Sequence, residues 1–148
     1  MKYEVDQSAK TEQTNKDTII SIANKDLFYT LKINSKIKQS LQKYFNKIKK
    51  PKLFAVYVFT SGLILLIKQT KLKNTTVIID LEYYGYNSLI HRELNKHLNQ
   101  NLEFRFSSIG KKSPAHDSAY KVFKKKVKPN YLVNRLELEK LVLQMLKM

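Results

Sequence analysis

The stretch FAVYVFTSGLILLIKQT, residues 54–70, contains the longest apolar run of the chain. The segment LFAVYVF, residues 53–59, is rich in β-branched and aromatic residues, which are typical of strands. TSG is typical of a turn, and LILLIKQT, residues 63–70, of a returning strand. After a second turn, TTVIIDLEYY, residues 75–84, predicts a third strand. The stretch therefore predicts the first hairpin of a three-strand meander.

Segments with helical periodicity surround this meander. Before it, residues 35–49 place apolar side chains on one face, and Pro51 ends that helix. After it, the pattern predicts a helix over 87–100, a strand over 102–109, a helix starting at Pro114 and a final helix over 134–147. This order predicts an α/β fold with a mixed sheet covered by helices. The final helix is apolar over more than half its circumference, so it is either buried between elements or an association face.

The N-terminal region differs in composition from the rest. Residues 1–18 are polar and carry both charge signs, which indicates a flexible arm. Residues 18–33 are more apolar and are interpreted as a short strand or turn. The remainder, residues 19–148, has the size of one domain.

Composition indicates a polyanionic partner. The 148 residues include 28 Lys+Arg and 12 Asp+Glu, which gives a formal net charge of +16. A positive field of this strength favours nucleic acid. The absence of Cys excludes disulfides and thiolate metal sites. The start is not a secretory signal, and the run LILLI is far shorter than the roughly 20 residues of a membrane span. We therefore expect a soluble, cytoplasmic protein without a membrane partner.

The element order β-β-β-α-β-α resembles the ribonuclease H-like fold over about residues 53–128, here with an extra N-terminal and an extra C-terminal helix. VYVFTSG resembles that family's first strand, whose apolar run closes with an Asp; Ser61 stands in its place. HREL resembles the helix with a metal-binding Glu, which maps to Glu93, and AHDSA the late helix whose acid maps to Asp117. The acid at the end of the fourth strand has no match in LEFRFSSIG, except Glu103 at the opposite end. The resemblance implies a nucleic-acid-binding scaffold with part of its acidic motif missing.

Three carboxylates are candidate metal ligands and catalytic residues. Alternation places Asp80 and Glu82 on one face of their strand, about 7 Å apart, where they could share Mg²⁺ or Mn²⁺. Glu93 and His97 lie four residues apart on a helix and could point at the same sheet rim. The alternatives are a solvated edge strand for the first pair and a local helix-stabilising pair for the second.

The segment IGKKSPAHD, residues 109–117, has the features of an anion site. A strand leads into a glycine, two lysines and a capping serine at a helix N-terminus, where free backbone N–H groups bind phosphate. The alternative is an ordinary capped loop with solvated lysines. His116 lies closer to the apolar stripe of that helix than Asp117 does, so it is the better candidate to face a substrate. The predicted phosphate-binding residues are Lys111, Lys112 and Ser113.

Two lysine clusters, residues 36–52 and 121–128, contain no acid. Tyr44 and Tyr120 are interleaved with them and could stack on bases. The alternative is two solvated helix faces. The predicted nucleic-acid contacts of these clusters are Lys49, Lys50, Lys121, Lys124, Lys125 and Lys126.

Two functions remain open on these patterns. The first is a basic nucleic-acid-binding protein that is also a divalent-metal-dependent nuclease, with Asp80, Glu82, Glu93 and His116 as catalytic residues. The second is a non-catalytic nucleic-acid-binding or assembly module whose helix 134–147 docks on a protein partner or a second copy. Convergence of the predicted carboxylates in space distinguishes them.

Overall fold

The fold is a six-stranded mixed sheet with helices on both faces. The computed structural model describes residues 2–147. The strands are Lys2–Ser8 (β1), Thr18–Ala23 (β2), Phe28–Ile33 (β3), Thr75–Asp80 (β4), Leu102–Ser107 (β5) and Tyr131–Leu132 (β6). The helices are Ser35–Lys47 (α1), Phe54–Gln69 (α2), Asn87–His97 (α3), Pro114–Phe123 (α4) and Arg135–Leu146 (α5), with a 3-10 turn at Pro51–Leu53. The predicted α/β class is confirmed.

The strand order is β5-β4-β1-β2-β3-β6. β1, β2 and β3 form an antiparallel meander. β4 is parallel to β1, β5 is parallel to β4, and β6 is parallel to β3. β1 is therefore a central strand whose neighbour β4 runs in the same direction.

The predicted hairpin over residues 53–70 is wrong, because this segment is the single helix α2. Twelve of its sixteen residues are buried, so it has no polar face to reveal the helical period. Its TSG is not a turn, since Gly62 lies within the helix where a Cβ atom would come 2.8 Å from Ile20 Cδ1 and 3.0 Å from Ile33 Cδ1. The glycine allows α2 to approach the sheet closely.

The predicted flexible arm over residues 1–18 is also wrong. β1 pairs with β2 on one side and β4 on the other. Tyr3 and Val5 are buried in the main core, while Glu4 and Asp6 point to the opposite face. The segment is polar because only every second residue of this short strand enters the main core. The domain therefore includes the residues assigned to the arm.

Most of the remaining predicted elements are confirmed, with shifted ends. Residues 18–33, interpreted as one short strand or a turn, instead form two paired strands, β2 and β3. The third predicted strand ends at Asp80 rather than residue 84. α3 ends at His97 rather than residue 100, and α4 at Phe123. α5 packs on α2 through Leu138, Leu141, Val142 and Met145, all buried.

The two faces of the sheet are covered unequally. α1, α2, α3 and α5 contribute to the main core on one face. On the other face α4 packs on β1, β2 and β3, and Ile19, Ala119 and Val122 form a small second core. α4 therefore covers this face mainly over β1 and β2, and the part of the face over β4 is less covered, which positions the candidate site.

One helical stretch, Pro51–Gln69, is long and apolar enough to cross a membrane by length and composition, with a mean hydropathy of 1.5. This stretch is therefore longer than the run LILLI, which was compared with the length of a membrane span. However, 67% of this stretch is buried inside the protein. It packs as a central helix of the fold, as α2.

Candidate active site

Two aspartates lie side by side at the carboxyl ends of β1 and β4. The parallel register of these strands pairs Val5 with Ile79, so Asp6 and Asp80 occupy adjacent positions one residue further on. Neighbouring strands lie about 5 Å apart, and side chains at paired positions share a face. Both carboxylates therefore project on the α4 face.

Asp6 is in a largely desolvated setting, with 12% of its side chain exposed. Its Oδ1 accepts a hydrogen bond from the backbone N–H of Gln7 at 2.8 Å, and its Oδ2 lies 3.0 Å from His116 Nδ1. Burial raises the pKa of Asp6, and the charge of Asp80 acts in the same direction, whereas the Gln7 and His116 contacts lower it. The carboxylates of Asp6 and Asp80 thus repel each other, and the contact of Asp6 with the His116 imidazole offsets part of this repulsion.

Asp80 and Glu82 both line the cleft around Asp6, but they have different partners. Asp80 Oδ1 accepts a hydrogen bond from the backbone N–H of Ile109 at 3.1 Å. Glu82 lies beyond the end of β4 and forms an ion pair with Lys10. The cleft has a volume of about 390 Å³, and its polar lining includes Asp6, Gln7, Lys10, Asp80, Glu82, Ser108, Lys111 and His116.

The N-terminus of α4 positions His116 over Asp6. As predicted, Ser113 caps this helix, because its Oγ accepts a hydrogen bond from the backbone N–H two residues later at 3.1 Å. The same hydroxyl donates to Glu4 Oε1 at 2.8 Å and so attaches the helix start to β1. Asp117 points away and pairs with Lys121 at 3.0 Å. His116 lines the cleft and Asp117 does not, which agrees with the sequence analysis.

The predicted convergence of Glu93 with Asp80 and Glu82 is wrong. Glu93 is 1% exposed and lies on α3 within the helical layer of the other face. Its Oε2 is 3.3 Å from Arg92 Nε, and its Oε1 is 3.6 Å from His97 Nε2. The alternative, a local pair of Glu93 and His97 within one helix, describes these surroundings better, because α3 turns the side that carries Glu93 toward α2.

The predicted basic residues separate into two groups. Lys111 lines the cleft after Gly110, whose positive φ of 75° brings the chain around toward α4. Lys112 is exposed next to it, and the exposed lysines 121, 124, 125 and 126 lie on or after α4. Lys49 and Lys50 follow α1, whose Leu41 and Phe45 belong to the main core on the other face. The two clusters therefore do not form one surface around the cleft.

Asp6 is the functional candidate that sequence reasoning missed. The available signal was the alternation in YEVD, residues 3–6, which places Tyr3 and Val5 on one face and the acids on the other. The pattern covers only four residues, and its partner Asp80 lies more than seventy positions away. No local pattern connects the two.

Tyr83 fixes the loop beside the cleft. Its hydroxyl accepts a hydrogen bond from Gln7 Nε2 at 2.9 Å, lies 2.7 Å from Thr11 Oγ1 and donates to Glu12 Oε1 at 3.2 Å. Burial raises the pKa of Tyr83, so it remains a neutral donor. The loop after β4 and the loop after β1 are thereby tied together. The neighbouring Tyr84, by contrast, is 74% exposed.

The donor set suits a hard divalent cation. Within residues 2–147, no three side chains of His, Cys, Asp or Glu converge as a ready-made metal site. Asp6 and Asp80 supply carboxylate oxygens, which Mg²⁺ prefers, and Mg²⁺ usually completes its shell with water and phosphate oxygens. Burial raises the pKa of Asp6, and the charge of Asp80 adds to it; a bound cation would favour the charged carboxylate.

Comparison of the chain with protein-family models, curated proteins and solved structures found no match.

Proposed function

We propose that the chain is a basic nucleic-acid-binding protein on a ribonuclease H-like scaffold and a divalent-metal-dependent nuclease that cleaves phosphodiesters. The observation that carries this proposal is the adjacency of Asp6 and Asp80 at the carboxyl ends of two parallel strands. Ligands bind preferentially at this edge in open α/β sheets. A cytoplasmic location is part of the same proposal.

The scaffold proposal is supported by element order, read from β1 instead of residue 53. Three antiparallel strands are followed by two helices, α1 and α2, and then by strand, helix, strand and helix, up to the end of α4. With the elements aligned in this way, the acid that the family carries on its first strand matches Asp6 rather than Ser61. The acid on its fourth strand matches Asp80. Two departures remain, because Gln7 stands where the family has a glycine and His116 faces the cleft where the late helix usually supplies an acid.

Each side chain of the cleft has a chemical role in this proposal. Asp6 and Asp80 would hold Mg²⁺ or Mn²⁺, which would supply activation of water and stabilisation of the leaving oxygen. His116 has its Nδ1 engaged by Asp6, which leaves Nε2 for proton exchange with the substrate. Lys111 binds a non-bridging phosphate oxygen, and Lys10 holds the Glu82 carboxylate at the cleft through an ion pair.

The test replaces each aspartate by its isosteric amide. We expect Asp6→Asn and Asp80→Asn to lower Mn²⁺-dependent cleavage of DNA or RNA by at least about 100-fold. We also expect Mn²⁺ to raise the melting temperature of the wild type and not of either variant, because only the wild type binds it tightly.

Asp117→Asn is the matched control, since it removes an acid from α4 outside the cleft. Cleavage by this control should equal that of the wild type. The nuclease proposal is wrong if the wild type cleaves none of single- or double-stranded DNA and RNA with Mg²⁺ or Mn²⁺, or if Asp6→Asn retains full activity.

A non-catalytic binding or assembly module is the second candidate, and exposed leucines favour it. Leu132 and Leu136 are 73% and 74% exposed, in the edge strand β6 and at the start of α5. In this case the wild type binds nucleic acid without cleaving it, and Leu136→Lys dissociates a complex seen by light scattering. Both candidates require log K to fall with log[salt], because phosphate contacts release counterions.

A further inference from the structure

A second pocket lies on the α4 face, at the opposite end of α4 from His116. It has a volume of about 310 Å³ and opens between the loop joining β1 to β2 and the last turn of α4. Its floor consists of Ile19, Val122 and Phe123, and its rim carries Lys16, Lys32 and Lys125. A pocket of this size lies at the lower end of the range for small-ligand sites.

The rim has a local excess of positive charge. Lys16 Nζ and Lys124 Nζ each lie 6.0 Å from the ring centroid of Phe123. Lys32 is neutralised by Asp17 at 3.2 Å. Within the described residues 2–147, neither Lys16 nor Lys125 forms an ion pair with an acid. An apolar floor with an aromatic ring, under ammonium groups that lack acidic partners, suits a ligand with a flat ring and a phosphate.

The pocket shares a sheet face with the Asp6–Asp80 cleft. Asp6 lies opposite Ser21 on β2, and Ile19, two residues from Ser21, lies opposite Lys32 on β3. Paired residues, and residues two apart on one strand, share a face of the sheet, so these side chains all point toward α4. From His116 to Phe123 the helix rises about 10 Å. That distance corresponds to about three nucleotides at the spacing of about 3.4 Å per strand in a helix. A single strand can therefore contact both sites at once.

We propose that this pocket binds one unpaired nucleotide of the strand whose phosphodiester lies in the cleft. The base stacks on Phe123, and Lys16 and Lys125 bind the adjacent phosphate. This inference rests on the proposed function and narrows its substrate to nucleic acid with a single-stranded segment about three nucleotides from the scissile bond. A base paired within a duplex cannot enter the pocket without leaving its stack.

The test measures binding of a short fluorescent single strand and of the same sequence as a duplex, with Ca²⁺ in place of Mn²⁺ to prevent cleavage. We expect Phe123→Leu to weaken single-strand binding about tenfold, since stacking is lost, and to leave duplex binding unchanged. We expect Lys16→Gln with Lys125→Asn to weaken single-strand binding about tenfold and to reduce the salt slope by about 1.4. Asparagine suits residue 125, whose backbone is left-handed with φ 62°.

The control removes two exposed lysines from the groove between α2 and α5 on the other face, as Lys68→Gln with Lys140→Gln. An equal loss in this control would mean that overall charge and not the pocket determines affinity, and would overturn the inference. So would an unchanged single-strand affinity in Phe123→Leu.

A further measurement distinguishes binding of a nucleic-acid strand from binding of a free nucleotide. If adenosine monophosphate saturates the pocket in wild type but not in Phe123→Leu, while oligonucleotide affinity is equal in both, the pocket binds free nucleotides and the inference is wrong. The two proposals fail separately. A wild type that binds single strands through Phe123 but cleaves nothing contradicts only the nuclease, whereas cleavage unaffected by both pocket variants contradicts only the pocket.

Discussion

Two residues, Asp6 and Lys38, place a charge where the protein provides little solvation. Asp6 faces Asp80 in the cleft, and burial raises its pKa. Lys38 is fully buried on α1, where its Nζ donates to the Gln13 carbonyl and to Thr18 Oγ1, both at 2.7 Å. Each charge reduces the free energy of unfolding in a pH range set by the direction of its shift.

Removing the charge of Asp6 should stabilise the protein at neutral pH. Because the folded pKa lies above the unfolded value of 3.8, the folded state binds the proton more tightly, and stability falls as pH rises through the folded pKa. We expect Asp6→Asn to raise the free energy of unfolding at pH 7, and with it the melting temperature. The gain should vanish below pH 3.8, where both proteins are uncharged at this position.

Melting followed by circular dichroism between about pH 3 and pH 8 measures this difference. The control is Asp117→Asn, which removes an exposed acid and should change little. A less stable Asp6→Asn at neutral pH would show that the contact with His116 outweighs the desolvation and repulsion.

Lys38 should produce the opposite trend at alkaline pH. Burial lowers its pKa to about 8, although Asp17 and Glu12 oppose the shift. The unfolded state then binds more protons between pH 8 and 10.5, so stability due to this residue rises with pH over that window. We expect the free energy of unfolding of the wild type, relative to Lys38→Met, to increase by about 1–2 kcal/mol from about pH 7.5 to 9.5.

Urea unfolding of both proteins at several pH values provides the measurement. The comparison is a difference between pH values, so the two hydrogen bonds lost in Lys38→Met contribute little to it. A constant difference across the window would mean that Lys38 is charged in the folded state throughout.

At the scale of elements, α2 illustrates how burial on all sides conceals a helix. Its 16 residues contain β-branched and aromatic side chains and a Ser-Gly pair, which predict two strands and a turn when read locally. The neighbours of Gly62, namely Ile20 and Ile33, come from the β2–β3 hairpin. The glycine is required by a contact between distant segments, and no local pattern reveals that.

Gly62→Ala tests this packing. A methyl group would meet Ile20 Cδ1 at 2.8 Å and Ile33 Cδ1 at 3.0 Å, and overpacking costs about 1–3 kcal/mol. Alanine returns about 1 kcal/mol through its higher helix propensity. We expect a net loss of about 1 kcal/mol in urea unfolding.

The neighbouring Ser61→Ala is the control for Gly62→Ala. Its Oγ makes a weak hydrogen bond to Met145 Sδ at 3.5 Å, so we expect a change within about 0.5 kcal/mol. A Gly62→Ala protein more stable than the wild type would indicate that the two isoleucines can move aside.

At the scale of the whole molecule, net charge is the dominant electrostatic feature. The formal charge of +16 repels itself in the compact state. Lys10, Lys32 and Lys121 each form an ion pair with an acid. However, the 28 basic residues far outnumber the 12 acidic residues. Screening by salt should therefore weaken the repulsion between like charges more than it weakens the attraction within ion pairs.

We expect the melting temperature to rise by a few degrees between about 0.02 M and 0.3 M NaCl, as the Debye length falls below about 10 Å. Scanning calorimetry measures this shift. KCl should act equally, which separates screening from specific ion binding. A melting temperature that decreases with salt would mean that the ion pairs contribute more than the net repulsion.

The sequence by itself determined the α/β class, the net charge, α1, α3, α4, α5 and the strands β4 and β5, as well as the Ser113 cap. These features depend on local periodicity and capping, which act within a few residues. Only the tertiary structure decided that α2 is a helix, that residues 2–8 are a central strand, and that Asp6 lies next to Asp80. Each of these depends on contacts between segments far apart in sequence, because burial on every side removes the periodic signal and strand pairing is set by distant partners.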